Sequence, residues 1–149
     1  MKLCPNEIAH ATLAAGFGIE PTACPNGQWT GEPLPVAVVM VAIAMAESGG
    51  NTDAIGFSPP DGSGENRDLG LFQISSRWWA DLLAKNPRWR DPDTNALMAR
   101  VVHVKTAKAF AGRGVDAGLT AWSTYTSGSW ARYVPAARRG VAHPFPYTP

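Results

Sequence analysis

The chain has 149 residues, of which 45% are hydrophobic and 17% charged, and its formal net charge is +1. This composition excludes disordered, collagen-like and coiled-coil proteins, because the 6 Trp, 15 Gly and 13 Pro are dispersed rather than periodic. Charge is divided unevenly, since the part before Asn66 has one Lys against seven carboxylates and the rest has twelve Lys or Arg against five Asp. We expect one globular domain over residues 1–149.

The first predicted helix, residues 6–15, lies between the cysteines Cys4 and Cys24. A disulfide that closes a loop of this size would stabilise the fold by roughly 3 kcal/mol in the chain-entropy model. We expect this disulfide, with two free thiols as the alternative. The N-terminal segment lacks a basic start followed by a small-residue cleavage site, so we expect no signal peptide.

The second predicted helix is the apolar run Leu34–Ala46. It is too short to cross a bilayer, which takes about 20 apolar residues, so it indicates a buried core helix. Gly49 and Gly50 favour its end, which places Glu47 in the last turn. The helix macrodipole and burial would both raise the pKa of Glu47. A carboxylic acid that stays protonated near neutral pH can act as the general acid for a glycosidic oxygen.

A polar segment rich in Gly, Pro, Asn and Asp follows at residues 49–67 and predicts a long loop or a small irregular hairpin. The next stretch, DLGLFQISSRWW at residues 68–79, interrupts an apolar run with Gly and Gln. Gln73 can hydrogen-bond a sugar or an amide. Trp78 and Trp79 offer flat apolar faces that suit pyranose rings, although we expect one of them to pack in the core.

Three further helices are predicted in the C-terminal half. One is capped by Ser75 or Ser76 and runs through Lys85. A longer one begins with Asp91 as cap and Pro92 as first residue, and ends near Ala111. A shorter helix carries Leu119, Trp122 and Tyr125, and the spacing of Trp122 and Tyr125 lets them line a groove together or pack against each other.

Four motifs occur in a fixed order: AMAESGGN around Glu47, DLGLFQIS around Gln73, DPDTNA at residues 91–96, and AWSTYTSG around Tyr125. Over residues 36–133 this set resembles the lysozyme-like superfamily, especially the soluble lytic transglycosylase domains of bacteria and of phage lysins and tail proteins. The resemblance implies a predominantly helical α+β fold of the lysozyme-like type. The chain departs from the family pattern at Thr126, where Asn is usual, and at Phe72, where Met is usual.

The resemblance implies cleavage of the β-1,4 bond between N-acetylmuramic acid (MurNAc) and N-acetylglucosamine (GlcNAc) in peptidoglycan, with Glu47 as general acid and then base. Gln73 and Tyr125 would contact substrate or orient Glu47. The remaining residues expected to support the site or to bind the glycan are Ser48, Trp78 and Trp122. A lytic transglycosylase, which leaves 1,6-anhydroMurNAc ends, is the favoured activity because its likeness extends across the C-terminal half.

The segments ESGGNT, DGS and DLGLFQISSRWW also resemble the catalytic stretch of animal-type lysozymes. In that alternative the protein is a hydrolytic muramidase, and Asp68 is the second carboxylate of a retaining reaction. Asp53 and Asp61 are weaker candidates for the same role. A non-catalytic module that binds the cell wall is the rival from another functional class.

No cofactor is needed for this chemistry, and the three His are scattered without metal-ligand spacing. We expect the partners to be peptidoglycan glycan strands and, through the basic half, anionic wall polymers. Nucleic acid is not expected to be a partner, because no basic cluster is longer than Arg138–Arg139. We expect a monomer that acts at the bacterial cell wall, either virion-associated, in host lysis or secreted.

Overall fold

The computed structural model describes residues 1–58 and 63–149. The α-helices of this part are α1 Pro5–Ala14, α2 Val36–Ser48, α3 Ser76–Lys85, α4 Pro92–Ala109, α5 Ser123–Ser127 and α6 Val134–Ala142. Its strands are β1 Pro21–Thr22, β2 Leu34–Pro35, β3 Ile55–Ser58, β4 Asn66–Leu69 and β5 Ile74–Ser75. Short 3₁₀ helices cover Pro25–Gly27, Ala111–Arg113, Ala117–Ala121 and Ala131–Tyr133. The predicted α+β, predominantly helical fold class is confirmed.

Helix α2 is the centre of the core. Residues 37–44 are all at most 3% exposed, and the helix packs against α1 and α6. Burying a Val, Ile or Met side chain contributes about 1.5–3 kcal/mol, so this helix supplies a large share of the hydrophobic stabilisation. It ends as predicted, because Gly49 and Gly50 have φ of 61° and 83°. A Cβ at Gly50 would also collide with the Leu3 carbonyl oxygen. Glu47 is therefore held at the C-terminal end of a rigid helix.

The polar segment after α2 forms part of an antiparallel sheet with strand order β3-β4-β5. Gly56 pairs with Asp68, and Asp68 in turn pairs with Ser75. The predicted irregular hairpin is thus present in β3 and β4, while Asp61 lies outside the described residues. The turn from β4 to β5 needs left-handed backbone at Gly70 and at Gln73, whose φ is 49°.

Helix α4 begins as predicted. The Asp91 carboxylate accepts a hydrogen bond from the Thr94 backbone N–H at 2.9 Å, which satisfies one of the free amides of the first turn. Farther along, the buried Asn95 side chain joins α4 to the β4–β5 turn. Its Oδ1 accepts from Phe72 N–H at 2.8 Å, and its Nδ2 donates to the carbonyls of Leu69 and Trp89. The DPDTNA motif therefore anchors the turn that carries Gln73.

The predicted short helix through Leu119, Trp122 and Tyr125 is interrupted. A 3₁₀ helix ends at Ala121, and α5 begins at Ser123 with Trp122 as its N-cap in an extended conformation. This break redirects the chain so that α5 lies against the end of α2. It brings Thr124 into the region of Glu47.

The expected disulfide between Cys4 and Cys24 is wrong, since both thiols are free. Cys24 is buried, and burial raises the pKa of its thiol above the ordinary value. The 3₁₀ helix Pro25–Gly27, which follows Cys24, packs against α5. Within the described residues, no helix is long and apolar enough to span a membrane.

Candidate active site

Glu47 and Asp68 line one open cavity of about 220 Å³, which we call the Glu47 cavity. Its other lining residues come from the β5 and α3 region and from the segment around α5: Gln73, Ser75, Trp78, Ala121, Trp122 and Ser123. The cavity thus lies where the end of α2 meets the sheet on one side and the 121–123 segment on the other. It places two carboxylates, an amide and an exposed indole around one volume.

Glu47 is half-buried in this cavity. Burial raises the pKa of its carboxyl above the ordinary value, and the negative charge of Asp68 acts in the same direction. The Thr124 hydroxyl opposes this effect, because it donates to Glu47 Oε1 at 2.7 Å and so favours the ionised form. The predicted rise of the Glu47 pKa is confirmed, with desolvation as its main cause. The raised pKa keeps this carboxyl protonated to a higher pH than an exposed glutamate, which favours proton donation.

Asp68 reaches the cavity from the middle strand of the sheet, opposite Gly56 and Ser75. Its Oδ1 is buried and has no hydrogen-bond partner among residues 1–58 and 63–149. A buried carboxylate oxygen without a partner is costly and rare in folded proteins, which marks Asp68 as a candidate functional residue. Asp53, the weaker candidate, instead forms ion pairs with the N-terminal amine and Arg90 and is absent from the cavity lining.

Gln73 lines the cavity, but its amide nitrogen is already committed to the backbone. Nε2 donates to the carbonyls of Ala54 at 3.2 Å and Gly70 at 2.9 Å. The side chain therefore ties the start of β3 to the β4–β5 turn. A Cβ at Gly56 would collide with Gln73 Oε1, so a larger residue there would have to displace the end of the Gln73 side chain. Gln73 orders the sheet that presents Asp68, while its predicted contact with substrate stays a prediction.

The two tryptophans that border the cavity differ in exposure. Trp78 is 71% exposed, and the Arg77 guanidinium lies 4.7 Å from its ring centroid. Trp122 is only 4% exposed, and its indole N–H donates to the Phe72 carbonyl at 2.9 Å. Trp78 can offer a ring face to a ligand, whereas Trp122 forms part of the wall.

Tyr125 lies in the core and is not part of the cavity lining, and its expected contact with substrate or orientation of Glu47 stays a prediction. Its side chain is fully buried, stacks on Trp130 at 5.5 Å, and donates its hydroxyl to Asp116 Oδ2 at 2.5 Å. Asp116 also accepts from the backbone N–H and the side-chain amide of Asn26. Tyr125 therefore holds α5 in the core, because its polar end has a buried partner.

Ser48 likewise does not face the cavity. Its hydroxyl donates to the Ala44 carbonyl at 3.0 Å and accepts from Gly50 N–H at 3.2 Å. These bonds satisfy the last turn of α2 next to Glu47, and the expected role of Ser48 in supporting the site or binding the glycan stays a prediction. The residue that sequence reasoning missed is Thr124. Its place in AWSTYTSG was visible, but its contact with Glu47 joins positions 77 apart in the chain.

The Glu47 cavity continues into a groove of about 440 Å³, which we call the Trp78 groove. The groove is lined by Trp78, Trp79, Thr106, Phe110, Thr120 and Ala121. It shares Trp78 and Ala121 with the Glu47 cavity, so the two volumes adjoin. An elongated ligand can therefore extend from the carboxylates past an exposed indole. No group of three or more His, Cys, Asp or Glu in the described part of the chain is arranged to hold a metal ion.

Residues 27–124 match the family described as "Lysozyme like domain". Among curated proteins, the "Lysozyme C" of Bufo gargarizans andrewsi is 35% identical over 95 residues, which cover 59% of this chain and 62% of that lysozyme. The "Lysozyme C" of Colobus angolensis is 49% identical over 41 residues, or 28% of this chain and 26% of that protein. The chain thus spans less than two thirds of either relative. No solved structure matches it. On the family match, which covers more than half of its length, this chain belongs to the lysozyme-like domain family.

Proposed function

We propose that this protein cleaves the β-1,4 bond between MurNAc and GlcNAc in bacterial peptidoglycan, with Glu47 as the proton donor. The observation that carries the proposal is the pair of carboxylates on one cavity, Glu47 with a raised pKa and Asp68 with an unpartnered oxygen. The family match and the named lysozymes support the same chemistry. The exposed Trp78 supplies a platform for a sugar ring beside the carboxylates.

In the first step, protonated Glu47 gives its proton to the glycosidic oxygen while the bond from that oxygen to the anomeric carbon breaks. Asp68 stabilises the developing positive charge or forms a covalent bond to the anomeric carbon. Glu47 is now ionised and removes a proton from water, whose oxygen bonds to the anomeric carbon; where Asp68 has bonded to that carbon, this bond breaks and Asp68 leaves as a carboxylate. The products are a GlcNAc hydroxyl and a reducing MurNAc end, and Glu47 regains its proton.

The Thr124 hydroxyl acts on this cycle through Glu47. Because Oε1 accepts the hydrogen bond from Thr124, the acidic proton is placed on Oε2. The same hydrogen bond strengthens once Glu47 ionises, since hydrogen bonds to charged groups are stronger than neutral ones. Thr124 is therefore a positioning residue that favours one oxygen of Glu47 as the proton donor.

A lytic transglycosylase is the second candidate, and the sequence motifs of the C-terminal half favour it. In that reaction the MurNAc C6 hydroxyl attacks the anomeric carbon and Glu47 takes its proton, so no second carboxylate is required. The presence of Asp68 on the same cavity as Glu47 supports hydrolysis instead. The two reactions differ in whether an oxygen atom from water enters the product.

The test is mass spectrometry of the fragments released from purified peptidoglycan in water enriched in heavy oxygen. Hydrolysis predicts reducing ends that carry one labelled oxygen, whereas transglycosylation predicts unlabelled 1,6-anhydroMurNAc ends. Glu47→Gln should lower the rate by roughly 10²–10⁴-fold, as expected for loss of general acid catalysis. Glu20→Gln is the matched control, because Glu20 is exposed and outside the cavity. Full activity of Glu47→Gln would refute the assignment, and no fragments from the unmodified chain would favour a non-catalytic wall-binding module.

A further inference from the structure

A second open volume, of about 810 Å³, adjoins the Trp78 groove, and we call it the Arg113 cavity. It is lined by Asn26, Phe110, Arg113, Thr120 and Thr126. Phe110 and Thr120 belong to both linings, so the cavity lies beside the groove. Helix α5 separates it from the Glu47 cavity, since Ser123 lines one and Thr126 the other.

The charge of the Arg113 cavity is positive. Arg113 is exposed, its guanidinium lies 4.4 Å from the Phe110 ring centroid, and it forms no ion pair with any carboxylate of the described residues. Stacking on Phe110 holds the guanidinium plane in place while its N–H groups remain available. The nearby Asp116 cannot neutralise it by direct contact, because that carboxylate is 1% exposed and bonded to Asn26 and Tyr125.

The other cations near the Trp78 groove, unlike Arg113, share their volume with a carboxylate. Arg77 and Lys105 line a neighbouring volume that also contains the carboxylate of Asp81. The lining of the Arg113 cavity has no carboxylate among the described residues. An anion that enters this region would therefore meet an uncompensated guanidinium only at Arg113.

We propose that the Arg113 cavity binds a carboxylate of the peptide stem that muramyl residues of peptidoglycan carry. The proposal rests on the proposed function, because the glycan in the Trp78 groove brings the peptide to the cavity. A stem peptide branches from the strand, and the Arg113 cavity lies beside the groove. A guanidinium pairs with a carboxylate through two parallel hydrogen bonds, so Arg113 suits this anion in particular. Arg113 would then favour peptide-substituted strands over bare glycan.

The test is equilibrium binding by calorimetry, which does not depend on turnover. The full chain carrying Glu47→Gln is titrated with soluble glycan oligomers that either retain their peptides or have been stripped of them by an amidase. Both probes are freed of phosphate polymers. The amidase leaves one lactyl carboxylate on each muramyl residue, so the probes differ in whether the carboxylates lie on the sugar or farther out on the peptide. Arg113→Gln should weaken binding of the peptide-bearing probe roughly threefold to tenfold and leave the bare probe unchanged. Arg139→Gln, an exposed arginine on α6 outside these cavities, should change neither.

Equal weakening of both probes, or no change in either, would overturn the proposal. An effect of Arg113→Gln that appears only with wall fragments that keep their phosphate polymers would overturn it in favour of phosphate binding. The proposed function fails by a separate observation, namely that the unmodified chain releases no fragments from peptidoglycan. Binding with the Arg113 dependence described above, but without cleavage, would uphold the peptide site and refute the enzyme.

Discussion

Removal of the Thr124 hydroxyl should change both the rate and the pH dependence of the reaction. The variant is Thr124→Val, which keeps the branched shape of the side chain but cannot donate the 2.7 Å hydrogen bond to Glu47 Oε1. A neutral hydrogen bond contributes about 1 kcal/mol and one to a charged group about 1.5–3 kcal/mol. When proton donation limits the rate, the neutral ground state becomes an ionising transition state, and the loss is the difference of about 0.5–2 kcal/mol, so kcat falls roughly twofold to thirtyfold. When the step that starts from ionised Glu47 limits the rate, kcat should not fall for this reason, because the lost hydrogen bond stabilised the ionised ground state.

The pH dependence of the reaction follows from the effect of the Thr124 hydrogen bond on the pKa of Glu47. The hydrogen bond from Thr124 lowers the pKa of Glu47, while burial, the larger effect, raises it. Without the hydroxyl, the Glu47 pKa rises further, so Glu47 stays protonated to higher pH. The alkaline limb of kcat/KM should therefore move to higher pH in Thr124→Val.

The assay is the pH profile of fragment release from soluble peptidoglycan for the unmodified chain, Thr124→Val and Thr124→Ser. The serine variant keeps the donor, so it should retain the original alkaline limb and most of kcat. Circular dichroism and thermal unfolding confirm that each variant is folded. If Thr124→Val is folded and has an unchanged profile, or if Thr124→Ser behaves like Thr124→Val, the positioning role is refuted.

Three further outcomes are expected. Trp78→Ala should raise KM about tenfold with kcat little changed. It should alter the free energy of unfolding by less than about 0.5 kcal/mol, because the ring is 71% exposed. An unchanged KM would exclude Trp78 from binding. Asn95→Ala should lower the free energy of unfolding, measured in urea, by about 2–4 kcal/mol. The reason is that it leaves the Phe72 N–H and two carbonyls without partners. A loss below about 1 kcal/mol would contradict this prediction. Burial, aided by the charge of Arg100, lowers the pKa of His103 to about 4. In the unfolded chain His103 takes up a proton near pH 6.5, whereas in the folded chain it does so only near pH 4. The free energy of unfolding should therefore fall by up to about 3 kcal/mol as pH drops from 6.5 to 4. His103→Gln should flatten the urea-unfolding free energy over this range, and an unchanged slope would assign the effect to other groups.

Local patterns in the sequence predicted the elements that carry the first carboxylate. The uninterrupted apolar run predicted a buried helix, and Gly49 and Gly50 marked its end because glycine tolerates the left-handed backbone found there. Asp91 and Pro92 predicted the start of α4, and its cap is formed within three residues. These features depend on neighbours in the chain, so a pattern of residue types was enough to predict them. The raised pKa of Glu47 followed from the same placement.

The roles of aromatic residues in the C-terminal half depended on the tertiary structure. A helical pattern placed Trp122 and Tyr125 on a common face, but it held no information on Asp116, whose carboxylate keeps the Tyr125 hydroxyl in the core. Exposure distinguishes Trp78 from Trp122, although both were predicted from the sequence to be among the glycan-binding residues. The absence of a disulfide between Cys4 and Cys24 is likewise a matter of how distant segments pack.

By itself, the sequence determined where Glu47 stands on its helix and that the chain is mainly helical, because helix length, capping and glycine backbone preferences act over a few residues. Only the tertiary structure brought Asp68 to the same cavity, placed Thr124 against Glu47 and set the Arg113 cavity beside the Trp78 groove. Each of these contacts joins segments far apart in the chain. Their geometry results from how α2, the sheet and α5 pack around one core, and no local pattern encodes that arrangement.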